Sequence, residues 1–145
     1  MRLVVQRVLE ASVEVEGKVI SEIKHGLLVL VGIGKDDTEA AGEWLANKLC
    51  GLRIFADDAG KMNLSVKDIS GDILLVSQFT LYADCARGRR PGFEAAAKPE
   101  EADRLFKKFV EMVKTQGFNP GLGVFGADMK VKLINDGPVT IILER

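Results

Sequence analysis

Apolar and charged residues alternate from Ala11 to Ile20 with a break at Gly17-Lys18, the pattern of a half-buried β-hairpin that turns at the glycine. Leu27 to Val31 is an unbroken apolar run closed by Gly32 and Gly34, which predicts a central strand buried on both faces. The period then changes. Ala41, Trp44, Leu45, Leu49 and Leu52 recur at helical spacing along one face, with Asp36 and Asp37 ahead of them as candidate caps. Leu52-Arg53-Ile54-Phe55 reads as a return to the sheet before a turn at Asp57-Asp58-Ala59-Gly60. Ile73 to Val76 predicts a second buried strand, which runs into the polar Ser77-Gln78-Phe79-Thr80-Leu81. No period survives between Ala83 and Lys98, where Gly88, Pro91 and Gly92 mark a surface loop. Pro99 opens the clearest helix, whose stripe is Ala102, Leu105, Phe106, Phe109, Val110 and Val113, ending near Gly117. Two more strands, Met129 to Leu133 and Val139 to Leu143, are joined by Asn135-Asp136-Gly137-Pro138.

Composition narrows the class. A chain of 145 residues with 47% hydrophobic and 28% charged residues has the balance of one soluble globular domain. A net charge of −1 offers a polyanion no overall attraction, so a nucleic-acid partner would have to be met by a local basic patch. The apolar run at Leu27 to Val31 falls far short of the roughly 20 residues a membrane helix needs. Nothing after Met1 has the pattern of a signal peptide. Cys50 and Cys85 lack the spacing of a zinc site or a redox pair, so free thiols and a cytoplasmic location are expected, without metal or cofactor.

Several attractive motifs fail on context. Gly121-Leu122-Gly123-Val124-Phe125-Gly126 matches the dinucleotide fingerprint by letter, but a helix ends before it and a strand follows it, so close backbone approach explains it better. Gly32-Ile33-Gly34-Lys35 lacks the spacing of a phosphate loop. His25 is the only histidine and has no partner cluster, which argues against a triad or an imidazole metal site. The acidic pairs Asp36-Asp37 and Asp57-Asp58 sit where caps and turns need them. Trp44, Phe106 and Phe109 fall on apolar helix faces and read as core. Three segments resist such readings. Ser77 to Thr80 places polar groups where a buried strand emerges. Asn135-Asp136-Gly137-Pro138 is either a tight hairpin turn or a functional bend. Arg87, Arg89 and Arg90 form either a solvated charge run or a phosphate clamp.

Ser77-Gln78-Phe79-Thr80-Leu81 together with Asn135-Asp136-Gly137-Pro138-Val139-Thr140 resembles the paired signatures of the D-aminoacyl-tRNA deacylases, the D-tyrosyl-tRNA(Tyr) deacylase family. The likeness runs the length of the chain, through Gln6-Arg7-Val8, Gly60-Lys61-Met62-Asn63, Arg90-Pro91 and Phe125-Gly126-Ala127-Asp128-Met129; Gly92 departs from the serine many relatives carry there. The resemblance implies a single α+β domain, with an antiparallel-rich, β-barrel-like sheet and two main helices packed outside. It further implies a homodimer with active sites at the subunit interface and aminoacyl-tRNA as the partner.

On this likeness the bond between Gly137 and Pro138 would be cis and would reach into the partner's pocket, where main-chain carbonyls leave no room for an L side chain. Glycine would pass. Ser77, Gln78, Phe79 and Thr80 would position the ester, with amides near Phe79 and Thr80 holding the oxyanion and the 2′-hydroxyl of the tRNA assisting the chemistry. Thr80 is the obvious nucleophile by inspection, but without a base a positioning role fits it better. Met129 and Phe125 would line the adenine end, and Arg87, Arg89 and Arg90 would meet tRNA phosphates. Two rivals use the same residues: a non-catalytic module that binds RNA ends, and a hydrolase of small esters using Ser77 or Thr80.

Overall fold

The computed structural model describes Met1–Arg145. Its elements are β1 (Arg2–Val15), β2 (Lys18–Ile23), β3 (Gly26–Gly32), α1 (Glu39–Cys50), β4 (Phe55–Ala56), β5 (Met62–Leu64), β6 (Asp72–Ser77), a 3₁₀ turn (Phe79–Tyr82), α2 (Pro99–Thr115), β7 (Gly121–Leu122) and β8 (Lys130–Glu144). The long β1 organises the sheet. Its first half pairs antiparallel with β3, its second half with β2, and β8 runs antiparallel along its other edge. β6 lies parallel to β3, and β7 parallel to β6. The result is a nearly closed, barrel-like mixed sheet in a single α+β domain, with both helices outside.

Side-chain alternation divides the core between the two faces of this sheet. Leu27, Val29, Val31, Ile73 and Leu75 point to the helices, where they meet Leu45, Leu49, Leu105 and Phe109. Leu28, Leu74 and Val76 point the other way and pack with Val8, Ala11 and Val13 inside the curl. The runs at β3 and β6 therefore lack polar alternation because both faces are covered. Each large side chain buried this completely contributes about 1.5–3 kcal/mol.

The glycine-rich segment closes the barrel. A Cβ on Gly121 would collide with Ser21 Oγ, and one on Gly123 would stand 2.8 Å from Met129 Sδ, so glycine lets this segment lie close against β2 and the chain entering β8 without displacing either side chain. α2 buries the stripe expected of it, with Pro99 in its first turn and Glu100 and Glu101 at the positive end of the helix dipole. No helix is long and apolar enough to cross a membrane.

Four expectations need correction. The cap of α1 is Thr38, whose hydroxyl accepts from the Ala41 amide at 3.3 Å; Asp37 instead accepts from Gly34 N at 2.7 Å and from the amino group of Met1. Trp44 is not core: it is 43% exposed beneath the Arg145 guanidinium, because the buried face of α1 is centred on Gly42, Leu45, Ala46 and Leu49, one position round. The chain after α1 does not rejoin the main sheet. β4 pairs only with β5, and the Ile54 carbonyl is met by Arg7 Nη1 at 2.5 Å rather than by a ladder. Finally, Asn135-Asp136-Gly137-Pro138 is not a hairpin turn. β8 continues through it, with both halves paired to β1.

Candidate active site

The end of β6 is where the sheet gives way to chemistry. The Gln78 amide still donates to the Val31 carbonyl at 2.8 Å, and the chain then leaves the ladder for the 3₁₀ turn. Gly32 and Gly34 make this possible. A Cβ at Gly32 would lie 2.9 Å from Leu81 Cβ, and one at Gly34 would lie 2.7 Å from the Tyr82 ring. Arg2 holds the turn from behind, donating from Nη1 to the Leu81 carbonyl at 2.5 Å with its guanidinium 5.0 Å above the Tyr82 ring. The Tyr82 hydroxyl lies 3.3 Å from Asp37, and burial pushes its pKa up to about 12, so it stays protonated as a donor. The glycine pair that fails as a phosphate loop is thus the seat of this turn.

A rigid turn of this kind presents its first amides, those of Phe79 and Thr80, without partners inside the turn. Next to them opens a cleft of about 580 Å³, of whose eighteen lining residues thirteen are hydrophobic, a balance that suits a flat apolar group held by a few polar contacts. Val31 and Val76 line it from the sheet, Phe106 from α2, and Phe125 and Met129 from the segment entering β8. Phe79 is 56% exposed at the rim with its ring 4.9 Å from Phe93, and Phe106 lies 6.4 Å from Phe125. Five of the sequence candidates, Ser77, Gln78, Phe79, Phe125 and Met129, therefore meet at one cleft. Thr80 stands one residue beyond its lining, exposed, and its hydroxyl accepts from the Gln78 side-chain amide.

No base serves these hydroxyls. The Gln78 amide cannot take a proton from Thr80. His25 is half-exposed beside Asp136, 3.9 Å away, with its ring against the edge of Phe55 at 5.2 Å. The single carboxylate lining the cleft, Asp128, is paired with Lys130 at 3.1 Å.

Gly137 and Pro138 do not line this cleft; they stand exposed on a bulge of β8. Gln6 faces Thr140 and Val8 faces Asn135, so Arg7 alone opposes the residues from Asp136 to Val139. Gly137 has φ +136°, and the bond between it and Pro138 is cis. The Arg7 guanidinium grips the base of the bulge, donating from Nε to the Asp136 carbonyl at 2.9 Å and lying 3.1 Å from its carboxylate. Sequence reasoning passed over Arg7 and Asn135 as positional anchors. The available signal was a charged residue amid the apolar positions of β1, whose side chain is only 12% exposed.

The arginines lie elsewhere again. Asp84 and Gly92 pinch the loop shut with two backbone hydrogen bonds of 2.8 Å, leaving Arg87, Arg89 and Arg90 exposed at its tip with no ion pair. Phe93, the next residue after this pinch, is the one that touches Phe79. Cys85 on the same loop is an exposed free thiol, while burial pushes the Cys50 thiol up to about 11.

The chain is similar to known proteins along its whole length. A D-aminoacyl-tRNA deacylase of Thermotoga petrophila is 60% identical over 144 residues, covering 99% of this chain and 97% of its own. That of Pelobacter propionicus is 57% identical over 145 residues and covers 100% of both chains. Among solved structures, one described as c-Myc DNA Unwinding Element Binding Protein superposes with a TM-score of 0.94 at 43% identity, over 100% of this chain and 99% of that one. A second, from a eukaryotic chain 18% identical, has a TM-score of 0.84 over 98% of this chain and 97% of its own and speaks for the fold alone. The model of the D-Tyr-tRNA(Tyr) deacylase family matches residues 4–144, and with 60% identity to a curated relative along its length the chain belongs to that family.

Proposed function

We propose that this chain hydrolyses the ester joining a D-amino acid to tRNA and releases both. The observation that carries this reading is the turn at Phe79 and Thr80, whose first amides have no partner inside the turn, beside an apolar cleft where no acidic or histidine side chain is hydrogen-bonded to the Ser77 or Thr80 hydroxyl. Such a site stabilises charge without an evident activated nucleophile of its own, which fits the substrate assistance that the family resemblance implies. The 2′-hydroxyl of the terminal adenosine assists water in adding to the ester carbonyl. The amides of Phe79 and Thr80 hold the oxyanion, and collapse expels the ribose 3′-oxygen with a proton. Ser77, Gln78 and Thr80 orient the ribose and ester, while Phe125 and Met129 line the adenine end of the cleft.

Stereochemistry is assigned to Gly137 and Pro138. Both are exposed and outside their own chain's cleft, which leaves them free to serve the cleft of a second copy, as the family resemblance implies. This supports a homodimer in which each chain's main-chain carbonyls fill the space an L side chain would need. Rejection of this kind is indifferent to the identity of a D side chain and admits glycine, so glycyl-tRNA(Ala) is a second substrate. The setting is the cytoplasm, where tRNA is charged.

Arg87, Arg89 and Arg90 supply the phosphate contacts that the net charge of −1 does not. Replacing all three by alanine should lower kcat/KM for aminoacyl-tRNA and flatten its dependence on salt. With about three fewer phosphates neutralised, the slope of log(kcat/KM) against log[salt] falls by roughly two to three. An unchanged slope would remove these residues from the interface. The reading as a whole is tested with D-aminoacyl-tRNA beside a simple D-aminoacyl ester that lacks the RNA. Release from the tRNA alone is expected. Cleavage of the simple ester at an equal rate would favour a small-ester hydrolase, and release from neither would favour an RNA-binding module.

A further inference from the structure

The bulge that carries Gly137 and Pro138 gives up its ladder hydrogen bonds to β1, yet Val139 at its end is 8% exposed, too buried for water to satisfy its amide freely. One side chain replaces what the ladder gave up. Asn135 Oδ1 accepts from the Val139 amide at 2.7 Å, and Asn135 Nδ2 faces the Val139 carbonyl at 3.1 Å, Thr140 Oγ1 at 3.2 Å and Gln6 Oε1 at 3.2 Å. This amide therefore bridges the first residue of the bulge to its last and ties both to β1. Arg7 grips the outgoing limb at Asp136, but the width of the bulge at its base is set by Asn135.

We infer that Asn135 is the positioning residue that fixes where the Gly137–Pro138 main chain stands, and so sets how stringently the L hand is refused. This rests on the reading of that main chain as the stereochemical filter. The geometry leaves little freedom in side-chain type. Aspartate keeps the acceptor toward the Val139 amide but sets an oxygen against the Val139 carbonyl, where a donor is required. Alanine removes both bonds and leaves the buried Val139 amide without a partner.

The test combines kcat/KM for D- and L-aminoacyl-tRNA of one amino acid with amide hydrogen exchange, in the wild type and in Asn135→Asp and Asn135→Ala. In the wild type the Val139 amide should exchange as slowly as its paired neighbours in β8; exchange at the rate of a free loop would overturn the brace without any variant. In Asn135→Ala its exchange should quicken roughly a hundredfold relative to Leu143. In Asn135→Asp the D-over-L ratio should fall roughly tenfold or more while D activity changes by much less. An unchanged ratio, including a parallel loss on both hands, would reduce Asn135 to a structural residue and overturn the inference. If the wild type itself cleaves both hands equally, the filter reading fails instead, which separates the two failures.

Discussion

Replacing Gly137 by alanine should open the site to L-aminoacyl-tRNA, lowering the D-over-L ratio of kcat/KM by roughly a hundredfold or more. Gly137 sits at φ +136°, where L side chains are rarely found, and a Cβ there would stand 2.7 Å from Val139 Cγ2 and 3.0 Å from Val139 N. Neither neighbour can yield easily, because Val139 is buried and its amide is held by Asn135 at 2.7 Å. The bulge itself must therefore move. A filter that works by steric overlap loses its effect when the obstacle shifts by about 1 Å, since repulsion falls away over that distance. The folded state should lose about 1–3 kcal/mol as well, so a thermal melt accompanies the kinetics. A stable variant with undiminished rejection of the L hand would place the filter elsewhere.

Removing the 2′-hydroxyl from the terminal adenosine should cost far more than removing the most obvious nucleophile in the protein. With a 2′-deoxy end, kcat on D-aminoacyl-tRNA is expected to fall about a thousandfold, whereas Thr80→Ala should stay within about tenfold of the wild type. The reason lies in what surrounds Thr80. Its hydroxyl is hydrogen-bonded only to the Gln78 amide, it is exposed, and it lies outside the cleft lining, so no neighbouring base is placed to remove its proton. The amides of the turn survive the substitution because they belong to the main chain. Single-turnover rates on the two substrates with the two proteins decide the matter; a thousandfold loss in Thr80→Ala with little effect of the deoxy end would make Thr80 the nucleophile.

What could be read before folding was whatever depends on neighbours in sequence. The stripe of α2 and the uninterrupted runs of β3 and β6 declared themselves by period, and the glycines of β7 by the absence of any phosphate-binding context. What stayed hidden depends on distant partners. Asn135-Asp136-Gly137-Pro138 has the composition of a hairpin turn, and it is a bulge because the strands on either side pair with β1 rather than with each other. Trp44 looked like core because a shift of one helical position is invisible until α2 is in place. Leu52 to Phe55 has the apolar content of a sheet strand, but its partner is the short β5 a few residues on, and the Ile54 carbonyl is taken by Arg7 from β1. The site was legible in its residue types at Ser77 to Thr80, but not in the backing of Arg2, Tyr82 and Asp37 or the grip of Arg7 and Asn135, which join residues remote in the chain.

The most direct measurement sets the two mirror forms of one amino acid, carried by the same tRNA, against the purified protein and compares their initial rates of release. The D form should be freed at least about a hundred times faster than the L form, which should barely exceed its spontaneous decay. Equal rates for both hands would contradict the account at its root.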